Sequence, residues 1–251
     1  MDFFDQLLLF LISLCANVLS AFSGGGAGLL QLPALIFMGL PFAIALSTHK
    51  VASVALGIGA TIRHVKNRGL DWKFSAFILF SGVPGVILGA LVIIDVSENL
   101  ARIALGCLTI FLGLYSLGRP DLGLENTRRH RTVWGYVLGG LVLFVIGLLN
   151  GSLTSGTGLF VTLWLVGWFG LDYKQAVAYT LVLVGLFWNG SGAIVLGWLT
   201  QIYWPWMPAL LLGSVLGGYF GAHLAITQGS RWIKRVFEGL TLLVGVNLLW
   251  W

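Results

Sequence analysis

Two short stretches rich in glycine and hydroxyl side chains interrupt the apolar runs of this sequence. They cover residues 23–28 and 150–158, and each is followed by a short apolar run. A helix that begins inside an apolar slab presents unpaired backbone N–H groups and the positive end of its dipole to whatever lies before it. Such a helix start favours an anion. The two stretches therefore predict a site at which two helix N-termini bind one anion.

The two stretches and their surroundings supply most of the candidate substrate-binding residues. The candidates from the first stretch are Ser23, Gly24, Gly25, Gly26 and the nearby Gln31, and those from the second are Asn150, Ser152, Thr154, Ser155, Gly156 and Thr157. Hydroxyl and amide groups can donate hydrogen bonds to an anion, as backbone N–H groups do. The alternative is that the glycines only allow helices to pack closely.

Three further candidates are polar side chains inside apolar runs, namely His49, Lys50 and Asn189. A polar or ionisable side chain inside a membrane segment is costly, so a functional role is the first hypothesis. Lys50 would compensate the charge of an anion, and His49 would exchange a proton near neutral pH. In the alternative, His49 and Lys50 lie at the outer interface and Lys50 extends to water. For Asn189 the alternative is a hydrogen bond between helices.

The composition is that of an integral membrane protein. Of 251 residues, 58% are hydrophobic and 9% are charged, and the mean hydropathy is +0.94. Apolar runs of roughly 18 to 25 residues recur, which predicts membrane-spanning helices rather than barrel strands. The formal net charge is +5, and most of the lysine and arginine residues lie in short clusters between these runs. This pattern is typical of orientation signals. We therefore predict the lipid bilayer as a partner and no nucleic acid.

The sequence contains none of the common catalytic motifs. It has no GxSxG, HExxH or Walker A pattern, and we expect no acidic residue at membrane depth. No catalytic residue, metal site or cofactor is predicted. The protein is accordingly predicted not to be an enzyme.

The second half of the chain repeats the first. Residues 1–118 and 132–251 each contain an apolar run, a glycine break, a half-length run and three further long runs, and a basic linker at 119–131 joins them. The spacing of Gly85 and Gly89 recurs at Gly217 and Gly221, and we expect all four to be helix-packing positions.

The distribution of charge predicts the orientation of the two repeats. Basic clusters at 63–73, 119–131 and 231–235 are assigned to the cytoplasmic side, whereas the acidic turn at 95–98 and the acidic N-terminus are assigned to the outside. This assignment requires the first two runs of each half to form a hairpin bent at the glycine break. Each repeat then adds three crossings to its hairpin, so the repeats are inverted and both termini lie outside. Whether the first run of each hairpin crosses fully or is re-entrant is left open.

Several motifs resemble the sulfite exporter TauE/SafE family of membrane permeases. The motifs are Ser23-Gly-Gly-Gly-Ala-Gly28 followed by Leu-Leu-Gln-Leu-Pro33, then Gly39-Leu-Pro41, Gly69-Leu-Asp71-Trp72 and Gly82-Val-Pro84-Gly85, with a weaker recurrence from Gly147 onward. The resemblance covers essentially the whole chain. It implies a multi-pass carrier in the bacterial inner membrane, with sulfite, thiosulfate or a small organosulfonate as substrate.

The resulting expectation is an all-α polytopic membrane protein with two inverted repeats, each a glycine-broken helix hairpin plus three transmembrane helices. Its leading function is secondary transport of a small sulfur-containing anion by alternating access. An anion-selective channel built on the same helix N-termini is the alternative. A scaffold without a ligand is a third hypothesis, and it explains the paired breaks poorly. A coupling proton or ion and a homo-oligomer are both left open.

Overall fold

The computed structural model describes residues 3–65, 70–92, 98–153 and 156–250, and this part of the chain is helical without strands. The helices are α1 (Phe3–Ser23), α2 (Ala27–Phe37), α3 (Phe42–Val65), α4 (Trp72–Val92), α5 (Glu98–Leu117), α6 (Val133–Leu153), α7 (Thr157–Gly167), α8 (Tyr173–Tyr179), α9 (Asn189–Leu199), α10 (Met207–Gln228) and α11 (Ser230–Trp250). A π-helical segment, Thr180–Trp188, joins α8 to α9 without interruption. The prediction of an all-α protein is confirmed.

Six of the described helical stretches are long and apolar enough to cross a membrane. They are Phe4–Ser23, Phe42–His64, Trp72–Val92, Val133–Leu153, Tyr173–Leu199 and Trp204–Gln228. The first and fourth of these correspond to α1 and α6, each of 21 residues, or about 31 Å at 1.5 Å per residue. By contrast α2 and α7 have 11 residues each, about 16 Å. The first run of each hairpin therefore has the length of a full span, and the second has half of it.

Glycines bring the long helices of the two halves into backbone contact. A Cβ atom added to Gly85 would lie 2.2 Å from the carbonyl oxygen of Phe144, and one added to Gly221 would lie 2.3 Å from that of Val18. These contacts join α4 to α6 and α1 to α10, and in each pair the two helices run parallel. The prediction that these glycines are packing positions is confirmed.

Two further pairs of helices run antiparallel, and each joins elements that hold the same place in the two halves. Helix α5 packs against α11, where Gly113 faces Thr241, and α3 packs against the π-helical segment, where Gly57 meets the backbone of Gly185. The π-helical segment is thus held between α3 and α7. The breaks described below are enclosed by these contacts.

The α4–α6 contact provides a test of how much the close approach contributes to stability. We expect Gly85→Ala to destabilise the protein by about 1–3 kcal/mol, because the new methyl group must displace the backbone of α6. Thermal unfolding in detergent would measure the loss. Gly239→Ala in α11 is the matched control, since a Cβ atom there meets nothing within 4 Å and alanine favours the helix. Equal melting temperatures for the two variants would contradict the packing argument.

One acidic side chain is buried inside the bundle. Glu238 lies about two turns into α11. Helix α11 is not among the six described stretches that are long and apolar enough to cross a membrane, so the expectation of no acidic residue at membrane depth stays a prediction. The carboxylate of Glu238 forms a salt bridge with Lys234 and accepts a hydrogen bond from Ser116 at 2.8 Å. Lys234 belongs to a basic cluster that we had assigned entirely to the cytoplasmic side. The pairing of the two charges lowers the cost of burying each.

Candidate functional site

The two glycine breaks meet inside the bundle. A Cβ atom added to Gly25 would lie 2.6 Å from the Cα atom of Gly158, so the two backbones are in van der Waals contact. The hydroxyl of Thr162 in α7 donates to the carbonyl oxygen of Gly24 at 2.7 Å. The break before α2 is therefore attached directly to the first turns of α7.

Each break is built from residues with a left-handed backbone. Gly25 has a φ of 140° and Gly156 a φ of 75°, which side chains other than that of glycine rarely adopt. In both half-helices the first hydrogen bond spans three residues, from Leu29 N to the oxygen of Gly26 and from Leu159 N to that of Gly156. The two half-helices therefore begin with the same geometry, and their N-terminal turns face each other.

A cavity of about 40 Å³ lies between these two N-termini. Its lining comprises Ser20, Gly25, Gly26, Ala27, Gly28, His49, Ser53, Leu56, Asn150, Thr157, Gly158, Thr180, Leu181, Val184, Gly185 and Asn189. Among the residues that the structure describes, this lining contains hydroxyl, amide and imidazole groups and no carboxylate. Helix starts and hydrogen-bond donors without a negative charge are the environment that an anion requires.

Lys50 lies behind this cavity and is completely buried, with 0% of its surface exposed. Its ammonium group donates to the backbone oxygen of Asn150 at 2.7 Å, to Oδ1 of Asn150 at 2.7 Å and to Oδ1 of Asn189 at 3.2 Å. The alternative of an interfacial lysine that reaches water is therefore wrong. The contact with the backbone oxygen also places a positive charge at the C-terminal end of α6, where the helix dipole favours it.

The ammonium group fixes how two amide side chains face the cavity. An ammonium only donates hydrogen bonds, so the oxygen atoms of Asn150 and Asn189 must point toward Lys50. The Nδ2 group of Asn150 is turned to the other side, where it donates to Oγ1 of Thr157 at 2.8 Å. Lys50 thus holds the oxygen ends of both amides toward itself and their donor ends away from it, in the wall of the cavity that Asn150 and Asn189 line.

His49 is buried beside the same cavity and belongs to a chain of hydrogen bonds. Its Nδ1 lies 2.8 Å from Oε1 of Gln31, and its Nε2 lies 3.1 Å from the hydroxyl of Ser53. Gln31 in turn donates through Nε2 to Oγ of Ser13 at 3.0 Å. Because an amide oxygen only accepts, Nδ1 of His49 carries a proton, and Nε2 is the nitrogen that can gain or lose one.

The predicted site residues fall into three groups in the structure. Gly25, Gly26, His49, Asn150, Thr157 and Asn189 line the cavity, and Gly24, Gln31, Lys50 and Gly156 support the lining from behind. The hydroxyl of Ser23 lies within hydrogen-bonding distance of the backbone oxygens of Leu19 and Gly25, at 2.9 and 3.0 Å, and that of Ser152 donates to Leu148 in its own helix. Both side chains therefore stabilise backbone. Thr154 and Ser155 lie outside the described residues.

Three hydroxyl-bearing residues line the cavity although they were not predicted. Ser53 follows His49 by one helical turn and bonds to its ring, which is the signal that could have identified it. Ser20 similarly precedes the first break by one turn. Thr180 opens the π-helical segment, and its hydroxyl oxygen lies 2.9 Å from that of Thr162. The sequence gives no local signal for the π-helix, although such segments are frequent at functional sites.

Several known proteins are similar in sequence to this chain over most of its length. The family profile described as sulfite exporter TauE/SafE matches residues 9–248. A probable membrane transporter protein from Haemophilus influenzae is 28% identical over 245 residues, covering 97% of this chain and 94% of that protein. The probable membrane transporter protein YfcA from Escherichia coli (strain K12) is 27% identical over 244 residues, covering 97% and 89%. No solved structure matches.

The match extends over nearly the whole chain, and it confirms the resemblance inferred from the glycine motifs. The similar proteins are described as membrane transporters, in agreement with the apolar helices of this structure. The chain therefore belongs to the sulfite exporter TauE/SafE family of membrane transporters.

Proposed function

We propose that this protein is a secondary transporter that moves a small sulfur-containing anion across the bacterial inner membrane by alternating access. The observation that carries the proposal is the cavity between two half-helix N-termini, backed by the buried Lys50. Within the described part of the chain Lys50 has no salt bridge, and its ammonium contacts only neutral oxygens. A bound anion would supply the missing negative charge.

The helix pairing supports an inverted relation between the two halves. A two-fold axis in the membrane plane makes equivalent helices antiparallel, as α5 and α11 are, and as α3 and the π-helical segment are. The same axis converts the parallel pair α1–α10 into the parallel pair α6–α4. In the proposed orientation the basic loops face the cytoplasm and both termini lie outside. Cysteine labelling of the termini from outside intact cells would test it.

The size of the cavity favours an inorganic anion. A buried water needs roughly 10–15 Å³ of cavity volume, counted as the space open to a water-sized sphere. A cavity of about 40 Å³ therefore holds roughly three waters. Sulfite has a similar number of heavy atoms, and thiosulfate has one more. An organosulfonate also carries a carbon chain, which this cavity accommodates only if its walls move apart. Sulfite and thiosulfate are therefore the substrates that the geometry supports best.

Thermal unfolding of the purified protein would test this order of substrates. We expect sulfite and thiosulfate to raise the melting temperature, with about 2.7 kcal/mol of stabilisation at a hundredfold excess over Kd. Ethanesulfonate should stabilise less at equal concentration, because its ethyl group exceeds the cavity. Sodium chloride at matched ionic strength is the control for general salt effects. Stronger stabilisation by ethanesulfonate than by sulfite would contradict the size argument.

The contact between the two breaks favours a carrier over the channel alternative. Gly25 and Gly158 touch, whereas a channel needs a continuous pore in its open state. We expect vesicles preloaded with unlabelled sulfite to accumulate labelled sulfite transiently, because a carrier exchanges one anion for another. If the labelled sulfite only equilibrates across the membrane, without a transient accumulation inside, the protein is a channel instead.

The same vesicles would show whether a proton is coupled to transport. We propose His49 as the proton carrier, because its Nε2 faces Ser53 at the cavity wall. An imposed pH gradient should then drive net sulfite flux in the wild type. His49→Gln should lose this response and keep exchange at equal pH. A pH-driven flux that is unchanged in the variant would remove His49 from this role.

A further inference from the structure

Two further cavities lie on the face that carries the basic loops. Their volumes are about 550 and 220 Å³, and Asp71, Arg128, Gln175 and Tyr179 line both of them. We call the two together the vestibule. It lies between the start of α4, the linker and the start of α8, and it is far larger than the central cavity.

The linker that forms one wall of the vestibule is fixed in place. The backbone N–H groups of Thr127 and Arg128 donate to the oxygen of Gly170 at 2.8 and 3.3 Å. His130 stacks on Trp168 with a centroid distance of 4.1 Å. Arg128 itself has a φ of 42°, an uncommon conformation for a residue with a side chain, and such strain often marks a functional position. The guanidinium of Arg128 is therefore carried by an ordered segment.

The charges of the vestibule favour an anion. Its lining includes the cationic side chains of Arg128, Lys174 and Arg131, against the carboxylates of Asp71 and Asp172. Both carboxylates already accept backbone N–H groups as helix caps, from Lys73 N at 2.9 Å for Asp71 and from Gln175 N at 2.7 Å for Asp172. The three cationic side chains thus outnumber the two carboxylates. Both carboxylates are already engaged in capping their own helices.

An unpartnered polar atom lies in the wall of the larger cavity. His64 is 6% exposed, and its Nε2 has no hydrogen-bond partner within the described chain. Buried polar atoms nearly always have a partner, so an orphan of this kind needs an explanation. A ligand or its water shell in the cavity that His64 lines would provide one.

The vestibule and the central cavity are separated by one turn of a single helical stretch. Ala178 lines the vestibule, and Leu181, three residues later on the same face, lines the central cavity. One helical turn rises about 5 Å. The boundary also coincides with the change from α8 to the π-helical segment at Thr180.

We propose that the vestibule is a second anion site, which the transported anion occupies between the bulk solution on the basic face and the central cavity. This inference rests on the proposed transport function. Arg128 and Lys174 attract the anion and hold it against the turn formed by residues 178–181, which is the barrier to the central cavity. A positively charged cleft raises the local concentration of an anion in this way, and the effect weakens with salt.

Sulfite flux in oriented vesicles at low ionic strength tests the proposal. Arg128→Asn and Lys174→Gln, combined, should raise the apparent KM for entry from the basic face by roughly tenfold. KM for entry from the opposite face should stay within about twofold of wild type. Asparagine is chosen at position 128 because it tolerates a positive φ. The difference from wild type should disappear at high salt.

Arg119→Gln is the matched control, because its guanidinium lies on the ring of Tyr115, outside the vestibule. An unchanged KM from the basic face in a double variant that melts like wild type would overturn the proposal. So would an equal rise of KM from both faces. If the transport function itself is wrong, the wild-type protein shows neither sulfite flux nor stabilisation by sulfite. This outcome is distinct from the two KM results that would overturn the vestibule proposal. If the double variant unfolds at a lower temperature than wild type, Lys174→Gln alone is measured. We expect its KM from the basic face to rise roughly threefold, and an unchanged KM would overturn the proposal.

Discussion

Gly158→Ala is expected to reduce anion transport strongly while the protein still inserts and folds. Gly158 lies in the first turn of α7, and a Cβ atom there would be 2.9 Å from the Cα atom of Gly25. The new methyl group must push the two breaks apart, because its two nearest neighbours, the Cα atom of Gly25 and the oxygen of Gly24, are backbone atoms. Overpacking of this kind costs about 1–3 kcal/mol, which corresponds to roughly 5- to 150-fold in an equilibrium constant. Flux in vesicles should fall by a factor in that range.

Gly25→Ala should have the larger effect of the two, since it adds backbone strain to the same collision. Its Cβ atom would lie 2.6 Å from Gly158, and its φ of 140° disfavours any side chain. Gly39→Ala separates the two causes, because Gly39 also has a positive φ, of 101°, yet has nothing within 4 Å of the new atom. We expect Gly39→Ala to keep transport. Full transport by Gly158→Ala would show that the contact between the breaks is not needed for function.

Lys50→Met is expected to eliminate the stabilisation of the protein by sulfite. At an assumed separation of about 6 Å, a unit charge contributes roughly 3 kcal/mol to anion binding at an effective dielectric constant of 20, which is about a hundredfold in Kd. The variant also releases the oxygens of Asn150 and Asn189, so the orientation of these two amides in the cavity wall is no longer fixed. Both effects weaken binding. Thermal unfolding with and without sulfite measures the loss.

The ligand-free variant separates a binding role of Lys50 from a structural one. Burying an ammonium without a carboxylate costs several kcal/mol, and its three hydrogen bonds offset a similar amount. The melting temperature without sulfite should therefore change little. Lys73→Met, on the exposed start of α4, is the control and should keep the response to sulfite. A Lys50→Met protein that sulfite stabilises like wild type would remove this residue from the binding site.

The helices of this fold and the breaks between them are determined by the local sequence. Runs of apolar residues set the lengths of the helices, and glycines at 24–26 and 156 break them because few other residues adopt a positive φ. The repeat of the same order of runs indicated that the two breaks belong together. Gly25 and Gly158 do meet, although substrate binding between them stays a prediction. These features need only neighbouring residues to be recognised.

The directions of the buried charged side chains were decided by tertiary contacts. Lys50 bonds to a residue 100 positions away, and no local pattern separates that arrangement from a lysine that reaches water. The same holds for Glu238, whose carboxylate accepts a hydrogen bond from Ser116 in another helix and forms a salt bridge with Lys234. Apolar periodicity identifies which segments enter the membrane. Which face of a segment meets which neighbour depends on packing between distant parts of the chain, because burial and hydrogen bonding of a polar group are set by the partner that arrives there.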